Sequence, residues 1–479
     1  MKSFASLTSC VILSVCTSFN LMAQNLWTYE SESSFEKRSK SDIKPIKYKT
    51  FVLDFDKAKE ELINAPHEKD ISLSQSTFFI KLPNPEGSSK NFKLLEYDMM
   101  EEGLASKYPH IKTYYGTAIK DPFTRVRLDI TERGLRAMIF SPSGNYYIDN
   151  YNGKNQSQYL VYFKSDYPAP IEKFKCETEA QIGDHSLEGG TQLSARAGDC
   201  TFRSYRLAMA TTGEYSNFHG ATSSSQSGII LSEVITSMNR VNGIYEIDAT
   251  VRMILVANTD QLFYYNGGTD PYTNSNGGTM LSENQTNLDN IIGSSNYDIG
   301  HVYSTGGGGV AFLRSVCGGS KAGGVTGLGS PINDPFYVDY VAHEMGHQFG
   351  GNHTQNNNCQ RSSKSYEPGS ASTIMGYAGI CNPNVQNNSD DYFHGASVQE
   401  IGNFITTGNG NNCDVPLPLT NSAPTVDAGD DYVIPVSTPF VLTAIGDDPD
   451  EHPLSYCWEQ WDPEPGSMPP NPTNTVGPV

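Results

Sequence analysis

Residues 343–353 read HEMGHQFGGNH. His343 and His347 are four residues apart, so on a helix both imidazoles leave one face about one turn apart, the separation that lets two nitrogens reach one zinc at ~2.0–2.1 Å. Glu344, one residue on, points away from His343 yet can reach a water held on the metal. Gly350 breaks the helix and turns the chain, which allows His353 to return as a third ligand. Three neutral imidazoles would leave a zinc ion its charge and one open position, where a water becomes a usable nucleophile at neutral pH. Glu344 would take that water's proton and return it to the leaving amine. Any one of these histidines alone would read as structural, but the five fixed positions together arise by chance about once in 10^4 to 10^5 chains of this composition.

This pattern is the extended HExxHxxGxxH motif of the metzincin zinc metallopeptidases, which the segment resembles. Ser372-Thr373-Ile374-Met375-Gly376-Tyr377 is similar to their Met-turn, and the resemblance implies that Met375 packs under the ligands without binding metal. Read alone, Met375 would be an ordinary core residue. The layout of residues 197–413 resembles the reprolysin (adamalysin) group, which implies the disulfides Cys317–Cys413 and Cys359–Cys381. Tyr377, two residues after the Met, resembles instead the tyrosine of astacins and serralysins that binds zinc or the oxyanion, and it is expected to be catalytic beside Glu344. The resemblance further implies that Gly308, Gly309, Val310 and Ala311 form the upper edge strand, along which an extended substrate lies antiparallel. Main-chain pairing of that kind favours protein or peptide substrates. From the residues themselves, the four glycines 306–309 fit either a plain flexible loop or a backbone bared for close approach.

Around the motif, Asp334-Pro335 predicts a helix start with Asp334 as N-cap, and Gly350-Gly351 its end. Phe202 to Thr211 alternates like a strand. Ile229, Ile230, Val234, Ile235 and Met238 fall at helical spacing, Val251 to Val256 and Ile299 to Tyr303 read as strands, and Leu288, Ile291 and Ile292 suggest a short helix. Ser397 and Glu400 form a capping box for a last helix, and His394 just ahead reads as structural. The fold class is therefore α/β, a mixed sheet plus the active-site helix, spanning residues 197–420. Ahead of it, residues 24–196 read as strands and turns (Tyr48 to Phe55, Ser76 to Leu82, Thr124 to Asp129, Leu135 to Phe140, Tyr146 to Ile148), a strand-rich segment of the size of a propeptide. Residues 180–200 have linker composition, with a cleavage site expected near Arg196.

The chain of 479 residues carries 33 Lys+Arg against 53 Asp+Glu, a net charge of −20. Residues 24–196 are nearly balanced, with 24 basic and 25 acidic residues, while residues 197–479 hold 8 and 28, so the whole excess lies in the second part. Such an excess repels phosphate backbones and argues against nucleic-acid binding. Lys2, the apolar run from Phe4 to Met22 and Ala23 read as a signal peptide over residues 1–23, giving a secreted chain without a transmembrane anchor once matured. Export permits disulfides. Seven cysteines follow the signal, an odd number, and Cys176 has two readings. It is either a switch thiolate on the open zinc position, although Glu177 stands where that motif has Gly, or the partner of Cys200.

Residues 421–479 change to short alternating runs between acidic clusters, resembling the opening strands of a PKD-like β-sandwich that the sequence leaves incomplete. Calcium could sit in those acidic loops, solvated charge being the plainer reading. The function expected is a secreted zinc endopeptidase made as a zymogen. A decayed zincin scaffold serving adhesion is the alternative, against which the intact Glu344 speaks.

Overall fold

A computed structural model describes residues 26–35, 45–153, 155–168, 176, 178, 199–357, 359, 362, 364–417, 419, 421–435 and 437–461. The signal-peptide reading, the segment 179–198 with Arg196, and Glu177 lie outside them.

Among the described residues nine strands make the N-terminal unit: β1 (Trp27–Tyr29), β2 (Lys49–Leu53), β3 (Phe79–Pro83), β4 (Ser89–Tyr97), β5 (Lys112–Ala118), β6 (Asp121–Thr131), β7 (Gly134–Phe140), β8 (Tyr146–Asn150) and β9 (Gln158–Phe163). They form one sheet in the order β1-β2-β9-β8-β7-β6-β5-β4-β3, every neighbouring pair antiparallel. Short helices α1 (Phe55–Leu62) and α2 (Glu102–Lys107) interrupt the strand order. Both faces of the central strands are buried, and period-two alternation divides their side chains. Val126, Leu128, Ile130, Leu135, Ile139 and Ile148 fill a core belonging to this unit. Arg127, Asp129, Arg136, Tyr147 and Asp149 point the other way, toward the second unit.

The second unit holds β10 (Phe202–Thr211), α3 (Gly213–Phe218), α4 (Ser227–Asp248), β11 (Val251–Leu255), α5 (Gly277–Ile291), β12 (Ile299–Ser304), β13 (Gly309–Ala311) and β14 (Gly324–Gly327). Its sheet runs β11-β10-β12-β14-β13, parallel except for the edge strand β13, and a short strand Val415–Leu417 pairs antiparallel with β10. This is the mixed α/β architecture expected from the sequence. The active-site helix begins at Asn333 and runs to Gln348, its middle turns over Tyr337–Ala342 widened to π geometry. A final helix spans Gly395–Thr407.

Two cap expectations fail, and in each a carboxylate of the expected cap, Asp334 or Glu400, is engaged by a partner outside its own helix end. Ile332 occupies the N-cap position, and the buried Asp334 lies inside the helix, paired with Arg240 at 2.7 Å. In the final helix the cap is His394, whose Nδ1 accepts from Ala396 N at 3.1 Å. Ser397 lies inside that helix, and Glu400 reaches back to Asn352.

Helix α4 is sandwiched between the two units and buried almost all round, although it carries Glu233, Asn239, Arg240 and Asn242. Buried charges persist only when paired, and here each has a partner across the interface, Arg240 having a second one, Asp334, within its own unit. Arg127 meets Glu246 at 2.5 Å, Arg136 meets Glu233 at 2.8 Å, and Arg240 binds both Asp149 at 2.5 Å and Asp334. Removing one member of such a pair strands the other. Arg240→Ala leaves two buried carboxylates without their cation and is expected to cost roughly 3–5 kcal/mol, read as a lower midpoint in urea unfolding of the full chain.

The last described segment, 421–461, holds one antiparallel strand pair, Thr425–Asp427 with Ile445–Asp447. No second sheet faces it among the described residues, and Val426, Val433, Phe440, Val441 and Ile445 are exposed.

Candidate active site

The helix brings His343 and His347 onto one face, and Gly350, at φ +102°, turns the chain so that His353 comes back beside them. All three rings are buried. His343 Nδ1 lies 2.7 Å from the Ile374 carbonyl and His347 Nδ1 lies 2.7 Å from the Gly351 carbonyl. A carbonyl only accepts, so each Nδ1 carries the proton and each Nε2 presents a lone pair. Burial holds His343 down to about 4, and burial followed by its two neighbouring imidazoles holds His347 far below its ordinary value, so both rings are neutral.

The Nε2 atoms converge: His347 is 3.2 Å from His343 and 3.0 Å from His353. Cys176, from the N-terminal unit, is buried beside them, its Sγ 3.6 Å from His347 Nε2 and 3.5 Å from His353 Nε2. These four atoms cluster among the described residues as a set able to hold a metal ion. Lone pairs packed this closely repel unless a cation lies between them. Tetrahedral zinc, with bonds of ~2.0–2.1 Å to nitrogen and ~2.3 Å to sulfur, asks for N···N separations of about 3.3 Å and N···S separations of about 3.55 Å. The donor set fits that ion. Without a cation, burial and then Glu344 push the Cys176 thiol well above its ordinary value; a zinc ion reverses that direction, since a coordinating thiol is deprotonated.

Glu344 is fully buried, and burial pushes it up to about 8. Its Oε1 has no hydrogen-bond partner among the described residues, while Oε2 lies 3.4 Å from Thr178 Oγ1. The same Thr178 hydroxyl accepts from Ala311 N at 2.9 Å and lies 3.3 Å from the Ala311 carbonyl. Cys176 pairs with Gly309 as a parallel bridge. Residues 176 and 178 thus lie along β13, with the thiol at the histidines and the threonine hydroxyl between the strand and Glu344. Of the residues expected at that edge, Gly309, Val310 and Ala311 are in the strand, whereas Gly308 precedes it at φ +67°.

Met375 is completely buried against the helix. A Cβ on Gly346 would stand 2.4 Å from its sulfur, so glycine at that point of the motif is what lets the Met-turn approach. Tyr377 is buried with its ring edge-on to His353 at 4.7 Å, and its hydroxyl donates to the Cys176 carbonyl at 3.4 Å. Cys317–Cys413 and Cys359–Cys381 are bonded in the structure. The first ties the loop after β13 to the segment that follows the final helix, and the second joins the loop after His353 to the loop after the Met-turn. Among the described residues Cys176 forms no disulfide, and Cys200 lies exposed.

The family model for the reprolysin-like metallo-peptidases of family M12B matches residues 201–404. Residues 201–404 are a reprolysin-like metallopeptidase domain. Curated proteins give no match to the chain. Among solved structures, metalloproteinase-II from Bacteroides fragilis is similar over 71% of this chain and 95% of its own, at 10% identity and a TM-score of 0.37. A metallopeptidase implies a metal ion and peptide substrates. The disulfides Cys317–Cys413 and Cys359–Cys381 are consistent with an extracellular protein, and no helix among the described residues is long and apolar enough to cross a membrane.

The sequence reading missed Thr178, Glu367 and the role of Glu400. Glu400 accepts from Asn352 N at 2.9 Å and from Asn352 Nδ2 at 2.8 Å, holding the residue before His353. Glu367 had one available signal: it is the only charged side chain between Lys364 and Asp390.

Proposed function

We propose that the protein is a secreted zinc endopeptidase made as a zymogen, with residues 24–196 as propeptide, 197–420 as catalytic domain and 421–479 as a PKD-like segment. The observation that carries this reading is the convergence of three imidazole nitrogens and the Cys176 thiol at tetrahedral zinc spacing, beside a buried carboxylate. His343, His347 and His353 hold the zinc. Once bound, zinc supplies a Lewis acid for the scissile carbonyl and an acidified water for the attack. Glu344 takes a proton on its unpartnered oxygen and returns it to the leaving amine, a task suited to a carboxyl whose burial has raised it toward neutrality. Met375 supports the ligands from below. Gly309, Val310 and Ala311 pair with the main chain of an extended substrate.

Latency follows from what residues 176 and 178 occupy. The Cys176 thiolate takes the position a water needs, Thr178 covers both the edge strand and Glu344, and the Cys176 carbonyl uses the Tyr377 hydroxyl. Cleavage within 179–198 followed by departure of the N-terminal unit would free all three. Limited proteolysis of the full chain is therefore expected to release casein hydrolysis that a zinc chelator abolishes and added zinc restores. Absence of hydrolysis in the cleaved, zinc-loaded chain would favour a binding protein on a decayed scaffold.

Tyr377 is the proposed oxyanion donor. Tyr377→Phe in the cleaved enzyme is expected to lower kcat roughly 10²-fold, about 3 kcal/mol, with little change in KM, because such a donor acts mainly in the transition state. A near-normal kcat with a lowered melting temperature would reduce Tyr377 to a packing residue.

A further inference from the structure

We infer that Glu367 is a positioning residue of the metal site, a buried carboxylate that fixes the third ligand and the Met-turn relative to each other. This rests on the reading that the three histidines hold zinc. Glu367 lies in the short strand Glu367–Pro368, paired in parallel with Gln355–Asn356 just after His353. Its Oε2 accepts from Thr354 Oγ1 at 2.6 Å and from Thr373 Oγ1 at 2.5 Å. Its Oε1 accepts from Ser372 N and Thr373 N, each at 3.0 Å. Thr354 is the residue after His353. Thr373 is the residue before Ile374, whose carbonyl orients His343, and Thr354 N donates to the Met375 carbonyl at 3.2 Å.

One carboxylate therefore spans both loops that complete the site: the loop that carries His353, and the loop that carries the His343 acceptor, Met375 and Tyr377. Among the described residues it makes no ion pair, and neutral donors fill its acceptor positions. Bonds to a charged acceptor are shorter and stronger than neutral ones, and groups that orient metal ligands tune affinity although they never touch the ion. Nothing else in the loop between Lys364 and Asp390 offers a charged acceptor.

Glu367→Gln keeps the shape but sets an NH2 against groups that donate. The Thr354 and Thr373 hydroxyls can turn to accept from it, so the chain folds while the grip loosens. In the full chain, zinc release to a chromogenic chelator is expected to be roughly 10- to 100-fold faster than in the parent. After cleavage, kcat should fall while KM stays within about twofold, the pattern of an interaction felt in the transition state. Thr354→Val, which removes a single bond, should also speed zinc release, and Thr354→Ser, which keeps the hydroxyl, should restore the parent rate. Parent-like zinc release and kcat in Glu367→Gln, with only a lower melting temperature, would overturn the inference. If Glu367→Gln does not fold, a parent-like rate in Thr354→Val overturns it instead. A parent chain that binds no zinc would remove the underlying reading of the site, and this inference with it.

Discussion

Glu344→Ala is expected to leave one zinc per chain and to lower peptide hydrolysis by the cleaved enzyme roughly 10²- to 10⁴-fold, the range for loss of a positioned acid–base group. The two effects separate because Glu344 stands beside the donor set without belonging to it: the atoms that converge are three Nε2 and one Sγ. Its Oε1 has no hydrogen bond to lose and its Oε2 only the long 3.4 Å contact with Thr178, so folding should be little affected or improved by relief of a buried carboxyl. Metal content and hydrolysis must be measured on the same preparation. Loss of zinc together with activity would make Glu344 a ligand, and substantial remaining hydrolysis would assign the base elsewhere.

Cys176→Ala should unmask the uncleaved chain. A latch that keeps the site closed about 99% of the time hides all but roughly one hundredth of the activity, so the variant is expected to hydrolyse a short fluorogenic peptide some 10- to 100-fold faster than the parent before any cleavage. Thr178 still covers Ala311 and Glu344 in that variant, which sets the rise below that of full cleavage. After cleavage the two chains should be equal. Equal latency before cleavage would mean that the N-terminal unit blocks the cleft by bulk alone.

The ligand set was legible in the sequence because its geometry is local: a four-residue helical step, then a glycine whose positive φ returns the chain within six residues. The strands β6, β7 and β8 were legible through alternation, but that alternation serves two cores at once, and the residues Arg127, Arg136 and Asp149 that look solvated in a one-faced reading are paired across an interface. Asp334 and Glu400 carry genuine cap signals. Tertiary partners, Arg240 and Asn352, outbid the helix ends for both. Cys176 could not be assigned from its neighbours, since nothing in Lys175-Cys176-Glu177 distinguishes a thiol bound for a metal from one bound for Cys200. Only the packing of the nine-stranded unit against α4 carries it to the histidines. Glu367 stood out only as a lone charge between Lys364 and Asp390, and its role was not legible because its donors come from segments that the fold alone brings together.

Zinc-edge X-ray absorption on the uncleaved chain tests the shared site most directly. Three nitrogen neighbours at ~2.0–2.1 Å and one sulfur at ~2.3 Å are expected, with the sulfur replaced by a nitrogen or oxygen neighbour after cleavage or in Cys176→Ala. A zinc shell without sulfur in the uncleaved chain, or a chain that retains no zinc, would contradict the assignment.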